Sequence, residues 1–208
     1  MTVDTKASEF YHLIVESNGI TMRKLKLQMQ ITLDGYVAGS QGQLDWMTPE
    51  TDERQVQYLK DLTTSMDTIL LGRKMAEEAV PHWEHVTKIK KGDAEWEYAK
   101  TFVSTPKIIF SKTFRSPLGE NTTLEQGDLT SVVTKLKDLP GKDIIVYGGA
   151  SFASALIKQN LVDEFHLLVN PVAIGAGKII FDGQHKLTLI KSMAFSNGVV
   201  ANQYKRDQ

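Results

Sequence analysis

Residues Asp143 to Phe165 read DIIVYGGASFASALIKQNLVDEF. An apolar run ends at Gly148 and Gly149, a helical pattern follows at once, and a second apolar run comes next. This order predicts a parallel β–α–β unit. Glycine loses more backbone freedom on folding than any other residue, so a glycine pair at this junction needs a reason. The pair has two interpretations: a tight turn, or a binding site where free backbone N–H groups bind a phosphate.

The same alternation of short strands and helices runs along most of the chain. Leu25, Leu27, Met29 and Ile31 alternate with polar residues, which predicts a strand. Further strands are predicted at 68–71, in PKIIFSKT, in DIIVYGG and in VDEFHLLVNPV. Helices are predicted in TPETDERQVQYLKDLTTSM, with Thr48 as N-cap and Pro49 in the first turn, and in AEWEYAKTFVS, LTSVVTKLKDL and ASFASALIKQN.

The last apolar segments predict a β-hairpin around Ser196-Asn197-Gly198. The predicted fold class is therefore a single α/β domain, a mostly parallel sheet flanked by helices with a C-terminal antiparallel hairpin. Residues 1–22 are interpreted as an N-terminal extension, and residues 23–208 as the domain.

Composition excludes several function classes. The 208 residues carry a net charge of -1, which gives no electrostatic argument for nucleic acid or an anionic membrane as partner. With no cysteine there is no disulfide, thiolate metal site or cysteine nucleophile. The absence of a long apolar run or a signal-peptide pattern favours a cytoplasmic protein.

The residues that follow the predicted strands are suited to a ligand. In open α/β sheets ligands bind at the carboxyl ends of the strands. Here those ends carry small, hydroxyl-bearing or charged side chains: Asp34, Gly72, Arg73, Lys74, Ser111, Lys112, Gly148, Gly149, Ala150 and Ser151. The cations and hydroxyls suit phosphate, although each pair alone is also compatible with plain surface. Asp34 is either a turn residue or a carboxylate that orients substrate or relays a proton.

The segment PHWEH, from Pro81 to His85, is interpreted as a loop because of Pro81 and Trp83. His82 and His85 fall short of the three convergent ligands that a metal site needs, so no metal site is predicted. His166 lies inside a strand pattern and is interpreted as a packed or rim histidine.

Four separated segments resemble one known family. MRKLKLQMQITLDGYVAG, TILLGRKM, KIIFSKT and DIIVYGGASFASALIKQNLVDEFHLLVNPVAIGAGKIIF are similar to the dihydrofolate-reductase-like family, in particular its riboflavin-biosynthesis reductase branch, the RibD C-terminal domain. The resemblance runs from about residue 23 to the end. It implies a homodimeric reductase that binds NADPH and transfers a hydride to a small pterin-like or pyrimidine-like heterocycle.

The resemblance also assigns residues. It implies that Asp34 lies near the substrate and that Val37 and Ala38 flank the nicotinamide. Ser111 and Lys112 match the segment at the adenosine 2′-phosphate. The remaining cofactor contacts that it implies are Gly72, Arg73, Lys74, Tyr147, Gly148, Gly149, Ala150, Ser151 and Phe152.

Some positions depart from the family pattern. Tyr147 stands where riboflavin-pathway reductases often carry Glu, and Ala150 where a third glycine is common. Folate reductases carry an acid on the first helix, at a position near Val56, with Asp52 and Glu53 the nearby acids here. A catalytically inactive nucleotide-binding protein of the same fold is therefore the alternative function.

Overall fold

The computed structural model describes residues 22–49, 52–89 and 91–207. Apart from Met22, the predicted N-terminal extension lies outside these residues. The described strands are β1 (Leu25–Thr32), β2 (Met66–Gly72), β3 (Lys107–Phe110), β4 (Thr122–Glu125), β5 (Asp143–Val146), β6 (Glu164–Asn170), β7 (Leu187–Ala194) and β8 (Val200–Arg206). The described helices are α1 (Glu53–Thr64), α2 (Arg73–Ile89), α3 (Ala94–Ser104), α4 (Leu129–Asp138) and α5 (Ala150–Lys158).

The strands form one sheet in the order β4-β3-β2-β5-β1-β6-β8-β7. The pairs from β4 to β6 are all parallel, whereas β8 runs antiparallel to both β6 and β7. The predicted fold class is therefore confirmed, including the C-terminal hairpin.

Helices cover both faces of the sheet. On one face, α4 and α5 bury Val133, Leu156 and Ile157 against the apolar side of β1. On the other face, which we call the α1 face, Leu62 of α1 packs with residues of α2, α3 and β2. Burial of both faces explains why the central strands β2 and β5 are nearly continuous apolar runs.

Helix α1 begins later than the sequence pattern predicts. Thr48 is not its N-cap, because the side chain of Asp52 accepts hydrogen bonds from the backbone N–H groups of Arg54 and Gln55 at the first turn. Asp52 also accepts bonds from the N–H and hydroxyl of Ser196, both 2.7 Å or shorter. An ionised Asp is a good helix N-cap. Here Asp52 also joins α1 to the hairpin turn, and a local sequence pattern does not reveal this long-range contact.

Helix α2 continues through the segment that was predicted to be a loop. Pro81 and Trp83 both lie inside this helix of 17 residues, so the loop interpretation of PHWEH is wrong. The apolar residues Ala76, Val80 and Val86 are buried along one side of α2. Their packing outweighs the backbone hydrogen bond that proline removes.

Strand β4 is absent from the sequence prediction. Its residues TTLE lack an apolar run, and they pair with β3 at the edge of the sheet. An edge strand has little side-chain burial to specify its pattern, and so it leaves a weak signal.

Candidate functional site

Four of the strand ends singled out above lie side by side. The strands β3, β2, β5 and β1 are consecutive neighbours and parallel, so their carboxyl ends share one edge of the sheet. Ser111 follows β3, Arg73 follows β2, Gly148 follows β5 shortly after its end, and Leu33 follows β1. The sequence prediction that these ends converge is confirmed at the level of the strands.

The glycine pair forms a turn that other residues adopt with difficulty. Gly148 has a φ of 137° and Gly149 a φ of 78°, both in the region that favours glycine. Gly149 is the N-cap of α5, and among the described residues no side chain caps this helix end. Backbone N–H groups of the first turn of α5 therefore face the carboxyl edge without a side-chain acceptor.

The pairing of β1 with β5 ends beside this turn. Strand β1 pairs with β5 only along Leu25–Leu27, while it pairs with β6 as far as Thr32. We call the region beside β1 beyond Leu27, where the turn at Gly148 follows β5, the cleft. A Cβ on Gly148 would lie 3.2 Å from Met75 Cε and 3.3 Å from Met29 Sδ. A side chain at this position would therefore press against these two methionines.

Gly72 and Phe152 pack directly against each other. A Cβ on Gly72 would lie 2.7 Å from Phe152 Cβ, closer than two carbon atoms can approach. This contact brings the first turn of α5 against the end of β2. Both residues were predicted to contact the cofactor, and the structure gives them in addition a role in positioning α5.

The predicted phosphate-binding cations have protein partners in this state. Arg73 forms an ion pair with Glu77, one helical turn away, at 2.8 Å. Lys112 Nζ donates hydrogen bonds to the carbonyl of Gly127 at 3.1 Å and to that of Gln126. Lys74 is exposed. An anion would have to compete for Arg73 and Lys112, and both lie on the surface, where such exchange costs little.

The Ser111 hydroxyl is buried and holds its own loop. It accepts hydrogen bonds from the backbone N–H groups of Thr113 and Phe114 at 3.2 and 3.0 Å. This arrangement fixes the chain where it leaves β3. Contact of Ser111 with a 2′-phosphate stays a prediction.

Asp34 joins the end of β1 to a loop near residue 175. Its carboxylate accepts hydrogen bonds from the Thr32 hydroxyl at 2.6 Å and from the N–H groups of Ile174 and Gly175 at 3.0 and 2.7 Å. The Thr32 hydrogen bond, followed by those from the loop, lowers the pKa of Asp34. An ionised, hydrogen-bonded carboxylate is a poor proton donor, and a catalytic role for Asp34 stays a prediction.

Val37 and Ala38 are held against the same loop. The N–H of Val37 donates to the Lys178 carbonyl, and the N–H of Lys178 donates to the Ala38 carbonyl, both at 2.8 Å. A Cβ on Gly177 would lie 2.3 Å from Ala38 O, so only glycine allows this approach. The side chain of Val37 is buried in the core, which leaves its backbone to flank a ligand.

Tyr147 points away from the turn that follows it. Its ring packs on the α1 face, 6.1 Å from the ring of Tyr98. Burial raises the pKa of the Tyr147 hydroxyl, which lies beside the hydroxyls of Thr63 and Tyr98. The side chain therefore anchors the start of the turn. Next to it, Ala150 is half-buried and Ser151 is exposed.

Sequence reasoning missed one polar cluster on the α1 face. The Tyr58 hydroxyl lies 2.6 Å from Nδ1 of His166, and His166 Nε2 lies 3.5 Å from Glu164 Oε2. His166 is buried, as predicted for a packed histidine. The period-two pattern puts Glu164 and His166 on one face of β6, but no local signal connects them with Tyr58, more than 100 residues earlier.

One described cavity lies elsewhere. An open cavity of about 610 Å³ is lined by the end of α5, the start of β6 and residues near both ends of the hairpin, among them Phe165, His185 and Arg206. This is the amino-terminal edge of the sheet. Because open α/β sheets bind ligands at the opposite edge, we assign the candidate site to the cleft at Gly148.

Two features are absent from the described part of the chain. No helix there is long and apolar enough to cross a membrane. No group of three or more His, Asp or Glu side chains within residues 22–49, 52–89 and 91–207 is arranged to hold a metal ion.

Known proteins are similar to this chain in sequence. The RibD C-terminal domain family matches residues 23–201, which is most of the chain. The chain belongs to this family. A relative is the uncharacterized protein YyaP of Bacillus subtilis, 34% identical over 192 residues, which cover 90% of this chain and 97% of that protein. This family membership confirms the resemblance drawn from the four sequence segments.

Solved structures share the fold. RibD of Acinetobacter baumannii superimposes with a TM-score of 0.66 at 18% identity, covering 96% of this chain and 62% of that one. A diaminohydroxyphosphoribosylaminopyrimidine deaminase/5-amino-6-(5-phosphoribosylamino)uracil reductase of Thermotoga maritima gives a TM-score of 0.63 at 15% identity, covering 95% of this chain and 60% of that one. This RibD C-terminal domain therefore shares its fold with both proteins.

Proposed function

We propose that this protein is an NADPH-dependent reductase of a small pterin-like or pyrimidine-like heterocycle. The observation that carries the proposal is the turn at Gly148 and Gly149, which opens onto the cleft beside β1 at the shared carboxyl edge. Family membership supports the reaction class, since the Thermotoga relative is itself described as a uracil reductase.

The turn suits the pyrophosphate of a dinucleotide. The first turn of α5 presents backbone N–H groups without a side-chain cap and adds the positive end of its dipole. Because the two glycines carry no side chains, a ligand can approach the backbone of the turn closely. The residues present therefore fit the phosphate part of the cofactor.

Charge at the neighbouring strand ends supports NADPH over NADH. Arg73, Lys74 and Lys112 follow β2 and β3, next to the glycine turn. A 2′-phosphate there would exchange the surface contacts of Arg73 with Glu77 and of Lys112 with two carbonyl groups. A guanidinium binds a phosphate through two parallel hydrogen bonds, whereas Arg73 contacts both oxygens of Glu77 through Nη1 alone.

The cleft would hold two flat rings against β1. Bound NADPH supplies the hydride. The chain supplies position: the backbone at Val37 and Ala38 closes one side of the cleft, and the Asp34 clamp fixes the loop behind that segment. Exclusion of water by these segments protects the reaction.

The alternative is a nucleotide-binding protein without catalysis. It is favoured by α1, whose nearby carboxylate, Asp52, is occupied as an N-cap and as the partner of Ser196. Both functions predict NADPH binding. They differ in whether the absorbance of NADPH, at about 340 nm, falls when a heterocycle is added.

A first experiment is a titration of the protein with NADPH and with NADH, followed by the fluorescence of its three tryptophans. We expect NADPH to bind at least about 10-fold more tightly, because the 2′-phosphate adds contacts worth more than about 1.4 kcal/mol. Equal affinity would contradict the role of Arg73, Lys112 and Ser111. Absence of binding by both would contradict the proposed function.

A matched pair of glycine variants tests the turn. Gly148→Ala places a methyl group against Met29 and Met75, whereas Gly183→Ala meets nothing within 4 Å. Both positions have a positive φ, so both variants carry a backbone strain of about 1 to 3 kcal/mol. We expect both to unfold at lower urea concentration, but only Gly148→Ala to lose NADPH affinity, by about 10-fold or more. Equal affinities in the two variants would show that the turn binds no cofactor.

The family resemblance also leads us to propose a homodimer. Sedimentation equilibrium at several protein concentrations distinguishes the mass of one chain, 23.3 kDa, from that of two.

A further inference from the structure

The polar cluster of Tyr58, His166 and Glu164 is unusual for its position. It lies in the middle of the sheet on the α1 face, where His166 pairs with Gln28 of β1 on one side and Gln203 of β8 on the other. His166 is 4% exposed and Glu164 8% exposed. Burial of an imidazole and a carboxylate is costly unless hydrogen bonds or charges compensate.

The hydrogen bonds of His166 are incomplete. Nδ1 lies 2.6 Å from the Tyr58 hydroxyl, whereas the buried Nε2 has no hydrogen-bond partner in the described part of the chain. Glu164 Oε2 is nevertheless 3.5 Å from Nε2, within reach after a small side-chain shift. A buried nitrogen that has no partner and faces a carboxylate is well placed to hold a proton.

We propose that Tyr58, His166 and Glu164 form a proton-holding chain that supplies the proton required when a C=N bond is reduced in the neighbouring cleft. This inference rests on the proposed reductase function. It adds a proton donor on the first helix, α1, which otherwise lacks one.

Two protonation states of the chain share one geometry. In the charged state both imidazole nitrogens carry protons: Nε2–H donates to Glu164 and Nδ1–H donates to the Tyr58 oxygen, so the Tyr58 hydroxyl proton is free to be donated to a ligand. In the discharged state Tyr58 donates to Nδ1, and Nε2–H still donates to Glu164. The heavy atoms keep their positions, so transfer needs little reorganisation.

The proton and electron balance is complete. The substrate carbon gains a hydride from NADPH, which becomes NADP⁺, and the C=N double bond becomes a single bond. The substrate nitrogen gains the Tyr58 hydroxyl proton, while the Nδ1 proton of His166 moves to the Tyr58 oxygen. Solvent later returns one proton to His166.

The surroundings favour these roles. Burial raises the pKa of Tyr58 to about 12, which keeps its hydroxyl protonated at neutral pH. The contact with His166, followed by that with Lys24, lowers the pKa of Glu164 to about 2, so its carboxylate stays ionised. Charged and titratable groups face His166 from several elements. Glu164 lies on β6 and Tyr58 on α1. Lys24 contacts Glu164, Lys26 on β1 forms an ion pair with Asp143 of β5, and Lys205 on β8 lies opposite Glu164.

The chain lies close to the candidate site. Leu27 pairs with Val146, and Gln28 pairs with His166, so Tyr147, Gln28 and His166 follow one another across three adjacent strands. Neighbouring strands are about 4.8 Å apart, which puts His166 about 10 Å from β5, where the glycine turn begins. Helix α1 carries both Tyr58 and Thr63, and Thr63 reaches Tyr147 beside the turn.

The first measurement is ¹⁵N NMR of the imidazole rings in the full chain, with His166 assigned by comparison with His166→Gln. At high pH we expect the neutral ring to carry its proton on Nε2, and Tyr58→Phe to change the Nδ1 shift. A neutral ring that carries its proton on Nδ1 would overturn the proposal, because the discharged state could not form. This readout does not depend on NADPH or on activity.

The second measurement is NADPH consumption with 7,8-dihydropterin and with 5-amino-6-(ribosylamino)uracil 5′-phosphate. We expect Tyr58→Phe to slow turnover about 100-fold, the usual range for a lost general acid, and to keep NADPH affinity within about 2-fold.

Tyr204→Phe is the matched control. It removes a hydroxyl from a tyrosine of β8 that packs in the core on the opposite face of the sheet. Full turnover in Tyr58→Phe, with wild-type NADPH binding, would overturn the proton-holding chain alone. Failure of the wild-type protein to bind NADPH would overturn the proposed function and the role of the chain in reduction with it.

Discussion

Glu164 keeps a charge in a buried position because other polar groups surround its carboxylate. Lys24 Nζ lies 2.7 Å from one oxygen, while Gln203 Nε2 and His166 Nε2 lie 3.4 and 3.5 Å from the other. The contact with His166, followed by that with Lys24, lowers the pKa of Glu164 to about 2, from an ordinary value of 4.5. A carboxylate held in this way stabilises the folded state only while it is ionised.

The pH dependence of unfolding tests this arrangement. Between pH 4.5 and about 2 the unfolded chain binds a proton at Glu164 that the folded chain does not, so stability rises with pH and is lost on acidification. The shift corresponds to about 3 kcal/mol, reduced to about 1 to 3 by solvent screening. We expect urea unfolding of Glu164→Gln to depend less on pH in this range. Parallel pH curves for the two proteins would contradict the assignment.

At the scale of the elements, α2 and α5 place the ends of β2 and β5. Helix α5 begins at the glycine turn and packs through Phe152 on Gly72, while α2 begins directly after Gly72 and contributes Met75 beside Gly148. The two helices therefore determine the width of the cleft. The residue pattern predicts α5, but the Gly72–Phe152 contact depends on how the helices pack.

Replacing Pro81 tests how much a proline inside α2 costs in stability. Proline in a helix interior removes one backbone hydrogen bond and costs about 3 kcal/mol, offset in part by a less flexible unfolded chain. We expect Pro81→Ala to raise the free energy of unfolding by about 1 to 2 kcal/mol, measured by urea denaturation. Pro81 is exposed, so core packing stays the same. An unchanged or lower stability would show that Pro81 does not destabilise α2.

At the scale of the whole molecule, the position of β5 creates the site. Strand β5 is next to last among the parallel strands along the chain, yet it lies between β2 and β1. The alternation of apolar runs and helices predicts every parallel strand except β4, and the glycine pair marks the turn. Strand order, however, depends on long-range pairing that local patterns do not encode.

The same limit explains what the sequence predicts of the site. Gly148, Gly149, Arg73 and Ser111 were predicted because each lies just after the end of a strand, and parallel strands bring such residues to one edge. Tyr58, His166 and Glu164 were missed because helix α1 crosses the sheet and meets β6 more than 100 residues later in the chain. The partners of Asp34 and Asp52 lie equally far away, in loops without a periodic pattern.

The two thioethers beside Gly148 also make the cleft sensitive to oxidants. The chain contains no cysteine, so methionine is its most readily oxidised side chain. Sulfoxide formation at Met75, which is half-buried, or at Met29 would add an oxygen atom in the tightly packed surroundings of this glycine. We expect mild peroxide to reduce NADPH binding in step with oxidation of these two residues, followed by peptide mass spectrometry. Treatment with a methionine sulfoxide reductase should restore binding, which would make this turn a reversible point of oxidative control.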